Sequence, residues 1–289
     1  MSKIKNIQDK INCIKNTQKI TKAMEMVSIS KMKKAEVKMN SGRPYLEVIK
    51  KIINNITCNN TKYQHSYLEK RSEKAIGIII ISTDQGLCGH LNTILFKKII
   101  KFIKNYKTKN IINNLYIIGS KGFSFFQPYS KNIVYHKKDT KNNYEFFNYL
   151  KFINILLNDY NTKKIDTLFL FYNQFKNTFI QTPLTVKLLP LSYKKIYQNH
   201  NHWDYIYEAS SQLLLNELLN KYIGFQIYQA ILENYTCEQT ARMMAMKQAT
   251  DNSRDLIKDL QIIYNKARQD NITQELTEII SGAAAVSLN

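Results

Sequence analysis

The chain has 289 residues, 44% of them hydrophobic and 22% charged, with a formal net charge of +20 and a pI near 9.6. This length and apolar content exclude a disordered chain and support a sizeable core. The four cysteines are far apart with no paired spacing, which argues against a zinc knuckle and makes free thiols in a reducing compartment the default, and the chain has no apolar run of about 20 residues to cross a bilayer.

The first 58 residues carry a heptad seam. Steps of three and four from Ile4 reach Ile7, Ile11, Ile14, Gln18, Thr21, Glu25, Ser28, Met32, Ala35 and Met39. The seam starts strongly apolar and turns small and polar in its middle. Ser2 suits the cap, and Gly42 and Pro44 are expected to bend this helix rather than end it.

Residues 75–190 hold five of the eight glycines and three of the four prolines, which marks a compact domain inserted between helices. Ala75 to Ser82 is an unbroken aliphatic run ending at Asp84-Gln85-Gly86, and Leu91 to Lys107 has helical spacing, so a buried strand feeds a helix. Strands are expected at Leu115 to Ile118, Ile133 to Tyr135, Thr167 to Tyr172 and Thr178 to Leu188, with a helix over Tyr144 to Tyr160. The last two strands should form an antiparallel hairpin turning near Asn173 to Asn177. The alternation implies an α/β fold with a largely parallel, Rossmann-like sheet of about five strands.

Ser210 to Asn289 contains no proline and only Gly224 and Gly282, and its apolar spacing is helical. An unbroken helix there would span roughly 115 Å at ~1.5 Å per residue. The expected organisation is an N-terminal coiled-coil helix (1–58), an α/β domain (59–207) and a C-terminal coiled-coil helix (208–289), the two helices antiparallel. The last helix would outrun its partner. Its end, Ile279 to Val286, carries no charge on any face, so it calls for a sleeve formed by other proteins. A frayed tail is the plainer alternative.

Other chemistry has weak support. The loop Gln85-Gly86-Leu87-Cys88-Gly89 stands between strand and helix, where a phosphate cradle would sit, yet lacks both the dinucleotide spacing and a Lys-Ser/Thr ending. His200, His202 and Asp204 lack a fourth metal ligand and suit a polar loop better. No paired-carboxylate site or nucleophile triad is arguable. The positive charge suits acidic protein, anionic lipid or nucleic acid. Its cluster at Lys31, Lys33, Lys34 and Lys38 has no interleaved stacking aromatics, and Lys, Asn, Ile and Tyr are abundant throughout, as an A/T-rich coding sequence yields.

Four blocks resemble the gamma subunit family of F-type ATP synthases: Asn16 to Val27, Ser82 to Gly89, Glu238 to Met243, and Tyr264 to Gln269 with Ile272 to Ile279. They follow the family's order over nearly the whole chain. One departure is His90, where the family usually has a second glycine after Cys88-Gly89. The resemblance implies a non-catalytic rotor shaft, without cofactor, metal or substrate of its own, turning inside a ring of three alpha and three beta subunits. Its globular part would sit on the membrane c-ring with the epsilon subunit. The expected location is the cytoplasmic side of the inner membrane, peripherally bound, since no leader or membrane span is read.

By the same resemblance, Met24 lies near the acidic catch region of a beta subunit, and Arg268, Gln269 and Thr273 meet another beta loop. Arg242 couples to the Met24 region. Tyr205, Tyr207 and Glu208 form the foot on the rotor ring, and Ala283, Ala284, Ala285 and Val286 form the tip within the sleeve. The plain alternatives are solvated helix faces for the first five and a small strand packing on its own domain for the foot. A free-standing coiled-coil scaffold and a nucleotide-dependent enzyme are the rival classes.

Overall fold

The computed structural model describes residues 2–59, 65–69, 71–107, 111–129, 132–138, 145–191 and 211–287. The chain divides into two compact units, Met1–Ile29 with Arg242–Asn289, and Ser30–Ala241. Helices α1 (Ser2–Asn59) and α5 (Ser211–Ser287) each contribute to both. Pro44 lies inside α1, which continues through it as the sequence requires.

The larger unit is built on a five-stranded sheet: β1 (Ala75–Ile81), β2 (Ile112–Ile118), β3 (Ile133–Lys137), β4 (Thr167–Phe175) and β5 (Gln181–Leu189), in the order β3-β2-β1-β4-β5. The first four are parallel, and β5 pairs antiparallel with β4. Helices α2 (Leu91–Lys107), α3 (Ser120–Phe126) and α4 (Leu150–Asn161) supply the crossovers, and a single 3₁₀ turn, Phe146–Tyr149, leads into α4.

The aliphatic run of β1 is explained by cover on both sheet faces. Ile76, Ile78 and Ile80 pack with Leu95, Phe96 and Ile99 of α2 and Phe126 of α3. Ile79 and Ile81 point the other way, into a cluster with Phe152 and Leu156 of α4, Ile49, Ile53 and Ile56 of α1, and Leu219, Ile223 and Ile227 of α5. Each fully buried isoleucine contributes about 1.5–3 kcal/mol. The start of β1 is closed by Asp166, whose Oδ2 accepts the N–H groups of Lys74 and Ala75 at 2.9 and 3.0 Å.

Two details differ from expectation. The hairpin turn lies after Phe175, where Asn177 Oδ1 accepts the N–H groups of Phe179 and Ile180 at 3.0 and 2.7 Å. Asn173 belongs to β4, is 1% exposed and pairs with Pro183. The extra helix α3 is too short to show a period, but its glycines have physical roles. Gly119 sits at φ +101, where a Cβ would lie 2.4 Å from the Ser82 carbonyl, and a Cβ on Gly122 would lie 2.5 Å from Ser82 Oγ.

Candidate functional site

In an open α/β sheet the usual ligand crevice lies at the carboxyl ends of the strands, where the strand order reverses. Here that point falls between β1 and β4, flanked by Ser82 and Asn173. The loop after β1 is tied down locally. Ser82 Oγ donates to the Ile118 carbonyl at 3.0 Å and accepts the Gly122 N–H at 2.9 Å. Asp84 Oδ1 accepts both the N–H and the hydroxyl of Ser120 at 2.8 Å.

Helix α5 fills the crevice. Ile231, Asn234, Tyr235 and Glu238 line what remains together with Ile81, Ser82, Asp84 and Ile118, a cavity of about 10 Å³. That is room for a single water at most. The Cys88-bearing loop closes on α5 as well, since Cys88 and Leu91 pack with Cys237 and with Phe175 and Ala241. The loop that sequence places where a phosphate cradle would sit is thus a seat for the helix.

Across the crevice, Asn234 Oδ1 accepts the side-chain and backbone N–H groups of Asn173 at 2.9 and 3.3 Å. Cys237 Sγ donates to the Asn173 carbonyl at 3.3 Å, and burial pushes its thiol pKa far up. An adjacent face of α5 meets α1, where Gln229 Nε2 donates to the Met39 carbonyl at 3.0 Å and Glu233 Oε1 lies 3.5 Å from Arg43 Nη2. Glu233 is 7% exposed. Desolvation raises its carboxyl pKa, against the opposing pull of Arg43 and Gln229. Residues 230–240 are buried without a break, although half of them are polar. Sequence reasoning missed this set, because a helix enclosed on all sides is normally recognised by apolar residues.

The smaller unit pairs α1 residues 2–29 with α5 residues 242–287. The seam is as the heptad steps place it: Ile11, Thr21, Glu25 and Ser28 are buried, and Ile4, Ile7, Ile14 and Gln18 half-buried. On α5, Arg242, Met246, Thr250 and Ser253 are buried and Ile257, Leu260, Tyr264 and Ala267 half-buried. The middle is polar on both sides, with Thr21 Oγ1 and Thr250 Oγ1 2.8 Å apart and Glu25 held by Lys22 on its own helix at 3.1 Å. After Asn271 the described α5 side chains, through Ala283, are all exposed, Ile279 and Ile280 at 67%.

Arg268, Gln269 and Thr273 are exposed on one stretch of α5, and Met24 is half-buried on α1. Arg242 is 6% exposed, so the solvated-surface alternative fails for it. Ala283 is exposed. Ala284, Ala285 and Val286 lie in α5, but their side chains fall outside the described set, as do Tyr205, Tyr207 and Glu208 and the His200, His202 and Asp204 group. His90 is exposed, and its backbone is not among the positive-φ residues; that geometry belongs to Gly89, at φ +60, and Leu87, at φ 61. The missing second glycine therefore costs the turn nothing. Among the described residues no group of His, Cys, Asp and Glu could hold a metal ion, and no helix is long and apolar enough to cross a membrane.

A family model described as ATP synthase matches residues 3–286. The chain is 68% identical to the ATP synthase gamma chain of Buchnera aphidicola subsp. Melaphis rhois and 63% identical to that of Buchnera aphidicola subsp. Schlechtendalia chinensis, with all of both chains covered in each case. Among solved structures, a chain of the Euglena gracilis mitochondrial ATP synthase rotor has a TM-score of 0.67 at 19% identity, covering 94% of this chain and 99% of that one. A chain of the Tetrahymena thermophila mitochondrial ATP synthase central stalk and c-ring gives 0.60 at 24% identity, covering 80% and 99%. These two likenesses concern the fold.

Proposed function

Because the chain belongs to the ATP synthase gamma chain family, we propose that it is the turning central shaft of an F-type ATP synthase. The observation that carries this reading is the end of α5. Ile272, Leu276, Ile279 and Ile280 are all about half or more exposed and nothing in the described chain covers them. A helix with this much open apolar surface is built to be enclosed by other subunits.

The chain contributes mechanics, and α5 fills the crevice that a ligand could have used. Each angular position of an uneven shaft touches the surrounding subunits differently, and so stabilises a different combination of their nucleotide-binding states. Only such differential contact can change their affinities; a round rod would shift nothing. The alpha and beta subunits, the epsilon subunit and the membrane c-ring are the partners in this reading. The shaft is peripheral to the inner membrane on its cytoplasmic side.

The site assignments follow the family residue by residue. Met24 meets the acidic catch region of one beta subunit, and Arg268, Gln269 and Thr273 a loop of another, with Arg268 offering a forked donor for carboxylates or carbonyls. Arg242 couples to the Met24 region from its buried position. Tyr205, Tyr207 and Glu208 rest on the rotor ring, and Ala283 to Val286 turn in the apolar collar. The helices 1–58 and 208–289 act as the shaft and 59–207 as its base. Purification from native membranes tests the proposal: alpha and beta subunits should co-purify in fixed stoichiometry with ATPase activity. A chain recovered alone or only as its own oligomer would refute it.

A further inference from the structure

The contact between α5 and the sheet carries a buried polar cluster. Asn173 gives three backbone and side-chain atoms to α5: its N–H and its Nδ2 to Asn234 Oδ1, and its carbonyl to the Cys237 thiol. All three residues are at most 2% exposed. Such bonds are worth only about 1 kcal/mol each net, and two of the three also satisfy the buried backbone N–H and carbonyl of Asn173. What hydrogen bonds add is direction. Apolar packing resists separation but tolerates a small slip or twist, whereas a buried amide pair has one satisfied arrangement.

The second set of contacts makes this a lock against rotation. Gln229 and Glu233 meet α1, while Asn234 and Cys237 meet the sheet. At 3.6 residues per turn the two pairs point about a quarter-turn apart around the helix axis. A helix gripped from two such directions cannot roll without breaking one grip.

We infer that Asn173, Asn234 and Cys237 form a torsional key that makes α5 turn with the sheet domain, carrying load between the rotor's base and its shaft. This rests on the shaft reading above. The crevice that other α/β sheets give to a ligand here holds the drive helix, and the three residues act as positioning residues without touching any reacting group.

The test uses the whole complex, immobilised through its catalytic ring, with a bead on the sheet domain at Tyr129→Cys, an exposed position, in a background with the exposed Cys13 changed to Ser. With the ring stalled, the variance of the bead angle reports torsional compliance. The double variant N173L/N234L removes two bonds of the sheet-facing grip and leaves the Cys237 bond, so with assembly and ATPase rate kept the variance should rise by up to about twofold, the limit for losing one of two independent grips. Cys237→Ala, which deletes a single bond, should widen it less and serves if the double variant does not assemble. An assembled variant of either kind with wild-type variance would overturn the key. A wild-type bead that does not turn on ATP would instead overturn the shaft reading.

Discussion

The polar middle of the coiled coil gives a prediction that can be worked out atom by atom. Thr21 Oγ1 and Thr250 Oγ1 are 2.8 Å apart, and each also lies within reach of a carbonyl of its own helix, Gln18 at 3.0 Å and Met246 at 2.9 Å. Two hydroxyl hydrogens thus face three possible bonds, so one hydroxyl bonds across the seam and the other to its own helix. Removing either hydroxyl leaves the remaining one with its local carbonyl, and no buried donor is orphaned. Thr21→Val and Thr250→Val should therefore each cost about 0.5–1.5 kcal/mol, the net worth of one hydrogen bond, and not the larger penalty of an unsatisfied group. The double variant loses both bonds and should cost about the sum of the two singles, which leaves a coupling energy near zero in a double-mutant cycle. Urea unfolding of the purified chain, followed by far-ultraviolet circular dichroism, measures all four corners. A coupling energy above about 1 kcal/mol, or a single variant losing more than about 3 kcal/mol, would overturn this bond count.

Gly119→Ala places a Cβ 2.4 Å from a backbone carbonyl at φ +101, which should cost about 2–5 kcal/mol and sharply lower soluble yield. Gly89→Ala has positive φ but nothing within 4 Å, so the same measurement should show only about 1–2 kcal/mol. Burial holds the Glu233 pKa above its usual 4.5. The folded state then binds its proton more tightly than the unfolded state, and stability is lost as pH rises from the unfolded value through the raised folded one. Glu233→Gln should match wild type below that window and gain on it above, in urea midpoints taken across the window; a constant difference would contradict this. Ile280→Lys with Ala283→Lys lies on exposed positions and should leave the isolated chain within about 0.5 kcal/mol of wild type, yet abolish its incorporation into the assembled complex. Undisturbed assembly and turnover would count against the collar.

The legible parts of the fold were those whose signal is local. The heptad steps located the buried α1 residues because a coiled coil repeats its contact every turn, and the aliphatic run of β1 announced cover on both faces. Helix α3 was illegible because seven residues with an internal glycine show no period. The sequence suggests a turn near Asn173 to Asn177, whereas Asn173 continues β4 opposite Pro183 and bonds to Asn234, 61 residues away. The enclosure of residues 230–240 is hidden for the same reason, since Glu233, Asn234, Glu238 and Gln239 look like solvated positions until the rest of the fold encloses them. Arg242 is a like case: its burial depends on the seam and not on its own side chain. The beta-facing residues Arg268, Gln269 and Thr273 were legible only through the family, because an exposed helix face carries no trace of the partner it meets.

A shaft must turn. A bead on the sheet domain of the complex, held by its alpha and beta subunits and supplied with ATP, would make that turning visible. Stepwise rotation in one direction at a rate proportional to hydrolysis is expected; a bead that stays at a fixed angle while ATP is hydrolysed at the full rate would rule out the shaft.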